Sequence, residues 1–224
     1  MGENGVNMSL SAIARYGETV NADPRVSQVA EIVNEILGPD QVCLTLVHLS
    51  LDEDIPTHKA VVTATIEIEK HGATRSVDFE GRGVGLLDAF FEGLVSFFSK
   101  EYASLKTISI ADYRVKLGDA SDLEGRNSDV DATAVIKVRN ADEKEYEFAQ
   151  KTPSVTYSSA LAAINVVNFF INSEMAYVRM HLALKDANDR RRSDLVEKYR
   201  GKMAVLVHAT SYSEVVARLE RGGS

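Results

Sequence analysis

Apolar and polar side chains alternate along much of the chain between residues 41 and 152, and this alternation predicts β-strands. In the stretch "AVVTATIEIEK" one face is apolar throughout and carries Val62, Ala64, Ile66 and Ile68. A second alternating stretch, "ATRSVDFEG", follows directly after the turn dipeptide His71-Gly72. We therefore predict an antiparallel hairpin with one buried face and one exposed face.

The strand before this hairpin changes the phase of its alternation midway. In "QVCLTLVHLSLDED", Val42 and Leu44 share one parity, whereas Val47, Leu49 and Leu51 share the other. A strand has a side-chain period of two residues, so a change of parity needs an extra residue or a bend. The pattern predicts a β-bulge or a sharp bend near the middle of this strand.

Helical patterns lie on both sides of these strands. After the glycines of "GRGVG" one apolar stripe carries Leu87, Phe90, Phe91, Leu94 and Phe98. Near the N-terminus, Asp23 and Pro24 suit the start of a helix, and Gly38-Pro39 suits its end. We predict one helix after the hairpin and another over roughly residues 24–37.

The same series of patterns recurs further along the chain. The stretch "TISIADYRVKLG" repeats the phase change 66 positions after the first, with Ile108 in the place of Val42. The second strands follow one another by 70 positions, the third strands by 69 and the helices by 72. A phase change reproduced in both copies indicates an internal duplication of two βββα units, residues 41–100 and 106–172.

The predicted fold class is α+β, a pseudo-two-fold, two-layer domain over residues 41–172 with a crevice where the two units meet. Residues 1–40 are predicted to be a helical N-terminal segment, including a short helix in "SLSAIARY". Residues 173–224 are predicted to be an α/β extension. In it, helix in two pieces is followed by a strand in "KMAVLVHA" and a short helix. The acidic stretch "LGDASDLEGRNSDVD" is predicted to be a hairpin loop.

Composition narrows the classes of partner. The formal net charge of −8 disfavours a nucleic-acid backbone or an anionic membrane surface. No apolar run approaches the roughly 20 residues that a membrane span needs, and the N-terminus lacks a signal-peptide pattern. Cys43 is the only cysteine, so neither an intrachain disulfide nor a thiolate metal cluster is expected. We predict a soluble, cytoplasmic protein that binds neither nucleic acid nor membrane.

The glycine-rich turn admits three interpretations. A nucleotide site would need a βαβ or P-loop setting, and no Lys-Ser or Lys-Thr follows the glycines here. A structural interpretation is that Gly81, Gly83 and Gly85 provide positive φ angles or a close approach of helix to strand. The third is that amide groups at the helix start hold an amino-acid carboxylate. Asp88 would then either compensate the helix dipole or face an ammonium group.

Both units resemble a known regulatory domain. The turn "GRGVGLLDA" has Gly81, Gly83, Asp88 and Ala89 in common with the G-x-G-P-V-D-A form of that family, without its proline and with two extra residues. The second unit has "TPSVTYSSALAAINVVN", in which the matching residues are Ser154, Ala160, Ala163, Asn165 and Asn168. "DYRV", residues 112–115, also fits. The chain thus resembles the C-terminal regulatory, or allosteric dimerisation, domain of alpha-isopropylmalate synthases and citramalate synthases.

This resemblance implies a homodimer that binds a branched-chain amino acid, leucine or isoleucine, near the subunit interface for feedback control of amino-acid biosynthesis. The implied effector-binding residues lie in two turns: Gly81, Gly83, Val84, Gly85, Leu86 and Asp88 in the first, and Thr152, Ser154, Thr156, Tyr157, Ser158 and Ser159 in the second. Replacing Gly83 by valine is predicted to remove binding without unfolding the protein.

The catalytic part of such synthases is a separate metal-dependent barrel with an H-x-H pair. None of the five histidines forms such a pair, and a barrel needs roughly 250 residues. We therefore predict no catalytic residue, metal or cofactor, and a synthase barrel as a possible partner.

Two alternatives stay open. Thr152 stands where the family has glycine and Thr156 where it has aspartate, which favours a dimerisation scaffold without ligand binding. In that case the serines at the second helix start would be helix caps or solvated hydroxyls. The other alternative is a small enzyme that uses the crevice between the units.

Overall fold

The computed structural model describes residues 23–118, 131–209 and 215–216. Within them the elements follow in this order: α1 (Pro24–Leu37), β1 (Cys43–Asp54), β2 (Lys59–Lys70), β3 (Ala73–Gly83), α2 (Gly85–Phe98), β4 (Ser109–Leu117), β5 (Ala132–Arg139), β6 (Glu145–Thr152), α3 (Val155–Asp189) and α4 (Ser193–His208). The strands form two three-stranded antiparallel sheets, ordered β1-β2-β3 and β4-β5-β6.

The α+β class and the repeated βββα order are thus as predicted, whereas the two-fold relation of the units stays a prediction. The short helix predicted in "SLSAIARY" and most of the predicted acidic loop lie outside the described residues. Helix α1 begins at Pro24 after the cap Asp23, whose side chain accepts a hydrogen bond from the Arg25 amide, and ends before Gly38. Both end signals of this helix are confirmed.

Each first strand contains the predicted bulge. In β1 the pairing with β2 shifts between Leu46 and His48, which leaves Val47 without a partner in the ladder. In β4 the shift lies between Ile110 and Asp112 and leaves out Ala111. The two bulges therefore occur in the same strand of each unit but at positions that are not equivalent.

The register of the hairpins corrects the predicted spacing of the third strands. In the first unit Val77 pairs with Ile66. The equivalent of Ile66 in the second unit is Ile136, and Ile136 pairs with Phe148, not with Tyr146. The predicted spacing of 69 positions is therefore two residues too short. A shift of two residues leaves every side chain on the same face of a strand, so alternation alone cannot detect it. In the corrected register Gly81 corresponds to Thr152.

Helix α2 lies unusually close to β3. A Cβ atom on Gly81 would overlap the Ala89 carbonyl oxygen and come within 2.8 Å of the Gly93 amide nitrogen. A Cβ atom on Gly93 would in turn come within 2.8 Å of the Phe79 ring. Glycine on both surfaces allows the helix backbone to touch the strand, which confirms the structural interpretation of Gly81.

Helix α3 joins the second unit to the first. Its Asn172 side chain bonds both backbone groups of Val42, and Asn168 Oδ1 accepts the Leu44 amide at 3.2 Å. These contacts cover the edge of β1 before the bulge, where Val42 and Leu44 are buried. The start of β1 is therefore held by the helix of the other unit.

The described part of the C-terminal extension is mainly helical, in two pieces: α3 continues to Asp189, and α4 begins at Ser193 after residues 190–192. The strand predicted in "KMAVLVHA" is wrong, because residues 202–208 lie within α4. Leu206 is fully buried and Met203 half-buried, a helical spacing of three. A short apolar run fits a buried strand or a helix equally well, so the pattern was ambiguous.

One described helix, α3, is long and apolar enough to cross a membrane by length and composition. This corrects the expectation that no segment reaches that limit. The most apolar 18-residue window of α3 is 61% buried inside the structure. Its buried residues include Val167, Phe170 and Tyr177, which belong to the hydrophobic core.

Candidate functional site

The first predicted effector turn is closed by a side chain of its own helix. Val84 is the residue before α2, and its N–H donates to Asp88 Oδ2 at 2.9 Å. The Asp88 carboxylate therefore takes up an amide at the helix start and compensates the positive end of the dipole. This is the dipole role considered from the sequence, and it places a negative charge at the start of α2.

Gly83 has no room for a side chain. A Cβ atom there would overlap the Asp88 carboxylate and lie 2.7 Å from the Ala89 backbone nitrogen. The prediction that Gly83→Val leaves the fold intact is therefore wrong, because the helix backbone would have to move. Gly85 differs in having open space and a φ of +80°, a conformation that L side chains rarely adopt.

The open part of the first turn is apolar and is flanked by carboxylates. The Val84 side chain is 69% exposed, and Leu86 is half-buried. Glu53 Oε1 lies 3.8 Å from the position that a Cβ of Gly85 would occupy. Sequence reasoning did not select Glu53, although the strand register was a usable signal: Glu53 pairs with Ala60, and Ala60 pairs with Gly83.

In the second turn the buried hydroxyls bond to one another. The Ser158 hydroxyl donates to the Ala132 carbonyl at 2.7 Å, and the Thr152 hydroxyl lies 2.8 Å from Ser158 Oγ. The Ser154 amide donates to Thr152 Oγ1 at 3.1 Å. Thr152 and Ser158 are both buried. These two hydroxyls therefore join the end of β6 to the start of α3.

The other polar side chains of this turn differ in their hydrogen bonds and in their exposure. Ser154 caps α3 by accepting the Tyr157 amide, as the capping interpretation predicts. The Ser159 hydroxyl is buried and lies 2.6 Å from both the Val155 carbonyl and the Tyr113 hydroxyl. Thr156 is exposed and Tyr157 is half-buried. Val155 and Thr156 are thus the solvent-exposed side chains at the start of α3, and Tyr157 is partly exposed beside them.

The structure brings the predicted residues together within each turn. The described contacts of the first turn run to α2 and to Glu53 of β1. Those of the second turn run to β4, β5 and α3. The meeting of the two turns at one effector site stays a prediction.

The family model of the LeuA allosteric (dimerisation) domain matches residues 26–171, which is well over half of the chain. The chain belongs to this family. It carries the regulatory domain of the isopropylmalate synthase family, and this membership supports an allosteric and dimerisation role. A search of curated proteins gave no match.

The LeuA domain exposes its large apolar side chains mainly on the first strand of each unit and at each helix start. Within residues 26–171 they are Val47, Leu51, Ile55, Val84, Tyr113, Val115, Leu117 and Val155, and Leu182 on α3 is exposed beyond this range. Leu51, Val62 and Gly81 form one row across the first sheet, and Leu117, Ala132 and Thr152 form the corresponding row in the second. Each unit therefore presents an apolar surface at the end where its helix begins.

The described residues contain no cluster of metal-ligating side chains. In residues 23–118, 131–209 and 215–216, no group of three or more His, Cys, Asp or Glu side chains is placed to hold a metal ion. The carboxylates of Glu53 and Asp88 are the acidic groups nearest to the first turn among the contacts described above.

Proposed function

We propose that the LeuA domain forms a homodimer through the apolar ends of its units and binds leucine or isoleucine at the helix starts. The observation that carries this proposal is the coincidence of exposed apolar residues with the predicted effector turns in both units. Leu51 and Leu117 lie in the same rows as Gly81 and Thr152. A second copy that covers Leu51 and Leu117 would also cover the turns.

The charges of the two turns favour one orientation of the amino acid. Asp88 and Glu53 flank the first turn and would attract the ammonium group. The first turn of α3 contains no acidic residue, and its N-terminal amides suit a carboxylate. The branched side chain would contact Val84 or Tyr157, whose burial would contribute roughly 1.5–3 kcal/mol.

The effector would act on a catalytic synthase barrel, and we propose that the assembly is cytoplasmic. Feedback control follows if the amino acid binds one of two states of the assembly more tightly than the other. The physiological role would then be control of branched-chain amino-acid biosynthesis by its end product.

Thermal unfolding in the presence of single amino acids tests the proposal. A ligand at about 100 times its dissociation constant adds about 2.7 kcal/mol to the free energy of unfolding. We expect millimolar leucine or isoleucine to raise the Tm and glycine to leave it unchanged. Asp88→Asn should abolish the rise, whereas Glu92→Gln, an exposed acid one turn further along α2, should retain it.

A dimerisation scaffold without a ligand is the second candidate. It is favoured by the internal bonding of Thr152, Ser158 and Ser159, which leaves these hydroxyls engaged within the fold. A wild-type dimer whose Tm is unchanged in leucine, isoleucine and valine would establish this alternative and remove the sensing role.

A further inference from the structure

The first unit contains a cavity at the end opposite to the helix start. Its volume is about 340 Å³, and it lies between the β2–β3 hairpin and the last turn of α2. The floor includes Ile68, Phe98 and Tyr102, which are all less than 10% exposed. A cavity of this volume with an apolar floor is large enough for a small molecule with a short branched hydrocarbon chain.

The rim of this cavity is cationic. Lys70 and Arg75 both line it and both face one carboxylate, that of Glu101. The distances are long: 3.4 Å from Lys70 Nζ and 3.9 Å from the Arg75 guanidinium. Lys70 Nζ also donates to the Tyr102 hydroxyl at 3.3 Å. Because one carboxylate serves two cations, the rim keeps an excess positive charge, and the Arg75 guanidinium keeps spare N–H donors. His71 is engaged by Asp40, at 2.9 Å.

In the second unit, the positions equivalent to Lys70 and Arg75 bind a backbone carbonyl oxygen. Arg75 pairs with Ile68, and Tyr146 pairs with Val138, so Arg75 and Tyr146 are equivalent. Ile68 and Val138 are equivalent positions. Lys70 lies two residues after Ile68, and Asn140 lies two residues after Val138, so Lys70 and Asn140 are also equivalent.

Asn140 Nδ2 donates to the His208 carbonyl oxygen at 2.9 Å, and the Tyr146 hydroxyl donates to the same oxygen. The end of α4 thus supplies an acceptor oxygen and buries Leu206 and Ala209. In the first unit the two donor positions carry full positive charges and open into a cavity instead.

We propose that this cavity is a binding site for a small branched carboxylate. Lys70 and Arg75 would hold the carboxylate in the way that Asn140 and Tyr146 hold the His208 carbonyl. Ile68 and Phe98 would bury the branched chain. Because the rim keeps an excess positive charge, a carboxylate without an ammonium group suits it better than a 2-amino acid does. This site is distinct from the two effector turns and does not depend on them.

An amide NMR titration of the full chain tests the site. The probe is sodium 3-methylbutanoate, which has the branched chain and the carboxylate but lacks the ammonium group on which the turns would rely. Saturable shifts are expected at residues 68–75 and 98–102. Sodium acetate, which lacks the branched chain, should bind at least tenfold more weakly.

Two variants should change the affinity for 3-methylbutanoate in opposite directions, and a third should leave it unchanged. Arg75→Gln should weaken 3-methylbutanoate binding at least fivefold, and the fold should persist because the Arg75 side chain is 63% exposed. Glu101→Gln should tighten binding at least threefold, because it frees both cations. Arg82→Gln is the matched control on β3, where the cation pairs with Glu80, and it should bind as wild type does.

The site is disproved if wild type shows no saturable shifts in these segments, or if Glu101→Gln weakens binding. Arg75→Gln binding equal to that of wild type would also overturn it. None of these outcomes changes the thermal test of the effector turns.

Discussion

The side-chain amide of Asn172 bonds both the N–H and the C=O of Val42, each at 2.8 Å. The two residues are 130 positions apart and belong to different βββα units. An asparagine here takes the place of a neighbouring strand, because it offers one donor and one acceptor to an edge that would otherwise be buried without partners.

Replacing Asn172 by leucine should therefore destabilise the protein strongly. Two buried backbone groups lose their partners, at about 1–3 kcal/mol each. Urea unfolding measures the loss, and Asn188→Ala serves as the control because Asn188 is exposed near the end of the same helix. The control should change stability by less than about 0.5 kcal/mol. Equal stability of the two variants would contradict the bidentate contact.

Two glycines should respond to alanine with opposite signs. Gly81→Ala places a methyl group against the α2 backbone and should cost about 3 kcal/mol or more. Gly201→Ala lies within α4 in open space and should stabilise by about 0.5–1 kcal/mol. Chemical unfolding of both variants checks the contrast, and a harmless Gly81→Ala would show that α2 does not touch β3.

Two serines of α3 should also differ. The Ser173 hydroxyl is buried and has no hydrogen-bond partner in the described residues, so Ser173→Ala should be neutral or stabilise by about 1 kcal/mol. The Ser158 hydroxyl bonds to Ala132 and Thr152, so Ser158→Ala should cost about 1–3 kcal/mol. Thermal unfolding at equal protein concentration compares them. A costly Ser173→Ala would indicate a bond that this arrangement lacks.

Stability should fall in alkali because of buried tyrosines. Burial raises the pKa of Tyr146 to about 12, and burial also raises the pKa of Tyr102. A phenol with a raised pKa stabilises the fold fully below its unfolded pKa of about 10. That contribution is lost between pH 10 and 12, since the unfolded chain releases its proton first. Tyr146→Phe should make the fall shallower, as measured by urea unfolding across this range.

The proposed dimer surface can be tested with two leucines of similar exposure. Leu117 on β4 is 66% exposed and Leu182 on α3 is 56% exposed. Leu117→Asp should shift the light-scattering mass towards the 24.5 kDa monomer, whereas Leu182→Asp should leave a dimer. A dimer that survives Leu117→Asp would move the interface elsewhere. A monomeric wild type would remove the dimer itself.

Much of the fold could be predicted because each signal in the sequence had a local cause. The bulges followed from the parity change around Val47, and the start of α1 followed from Asp23 and Pro24. The sequence signals failed where the side-chain period fits two strand registers, or where a short apolar run fits both a helix and a strand. A two-residue shift of β6 preserves the faces of its side chains, and the run ending at His208 suits either helix or strand.

The candidate site was less accessible to sequence reasoning. The glycine turn was visible as a motif, but only the packing distinguishes Gly83, pressed against Ala89, from the open Gly85. Glu53 comes beside the turn through a strand register that crosses three strands. The cationic cavity likewise depends on Lys70 and Arg75, which are ordinary polar positions of a hairpin in the sequence.

The length of α3 has a mechanical consequence. Its 35 residues form one uninterrupted rod of roughly 50 Å, with the second predicted effector turn at one tip and the junction with α4 at the other. A stiff rod converts a small rotation at one tip into a larger displacement at the other. A tilt of about 5° around the start of α3 would move its far tip by roughly 4 Å. One continuous helix therefore connects the second predicted turn to the α3–α4 junction, and a change at the turn would reach that junction without an intervening hinge.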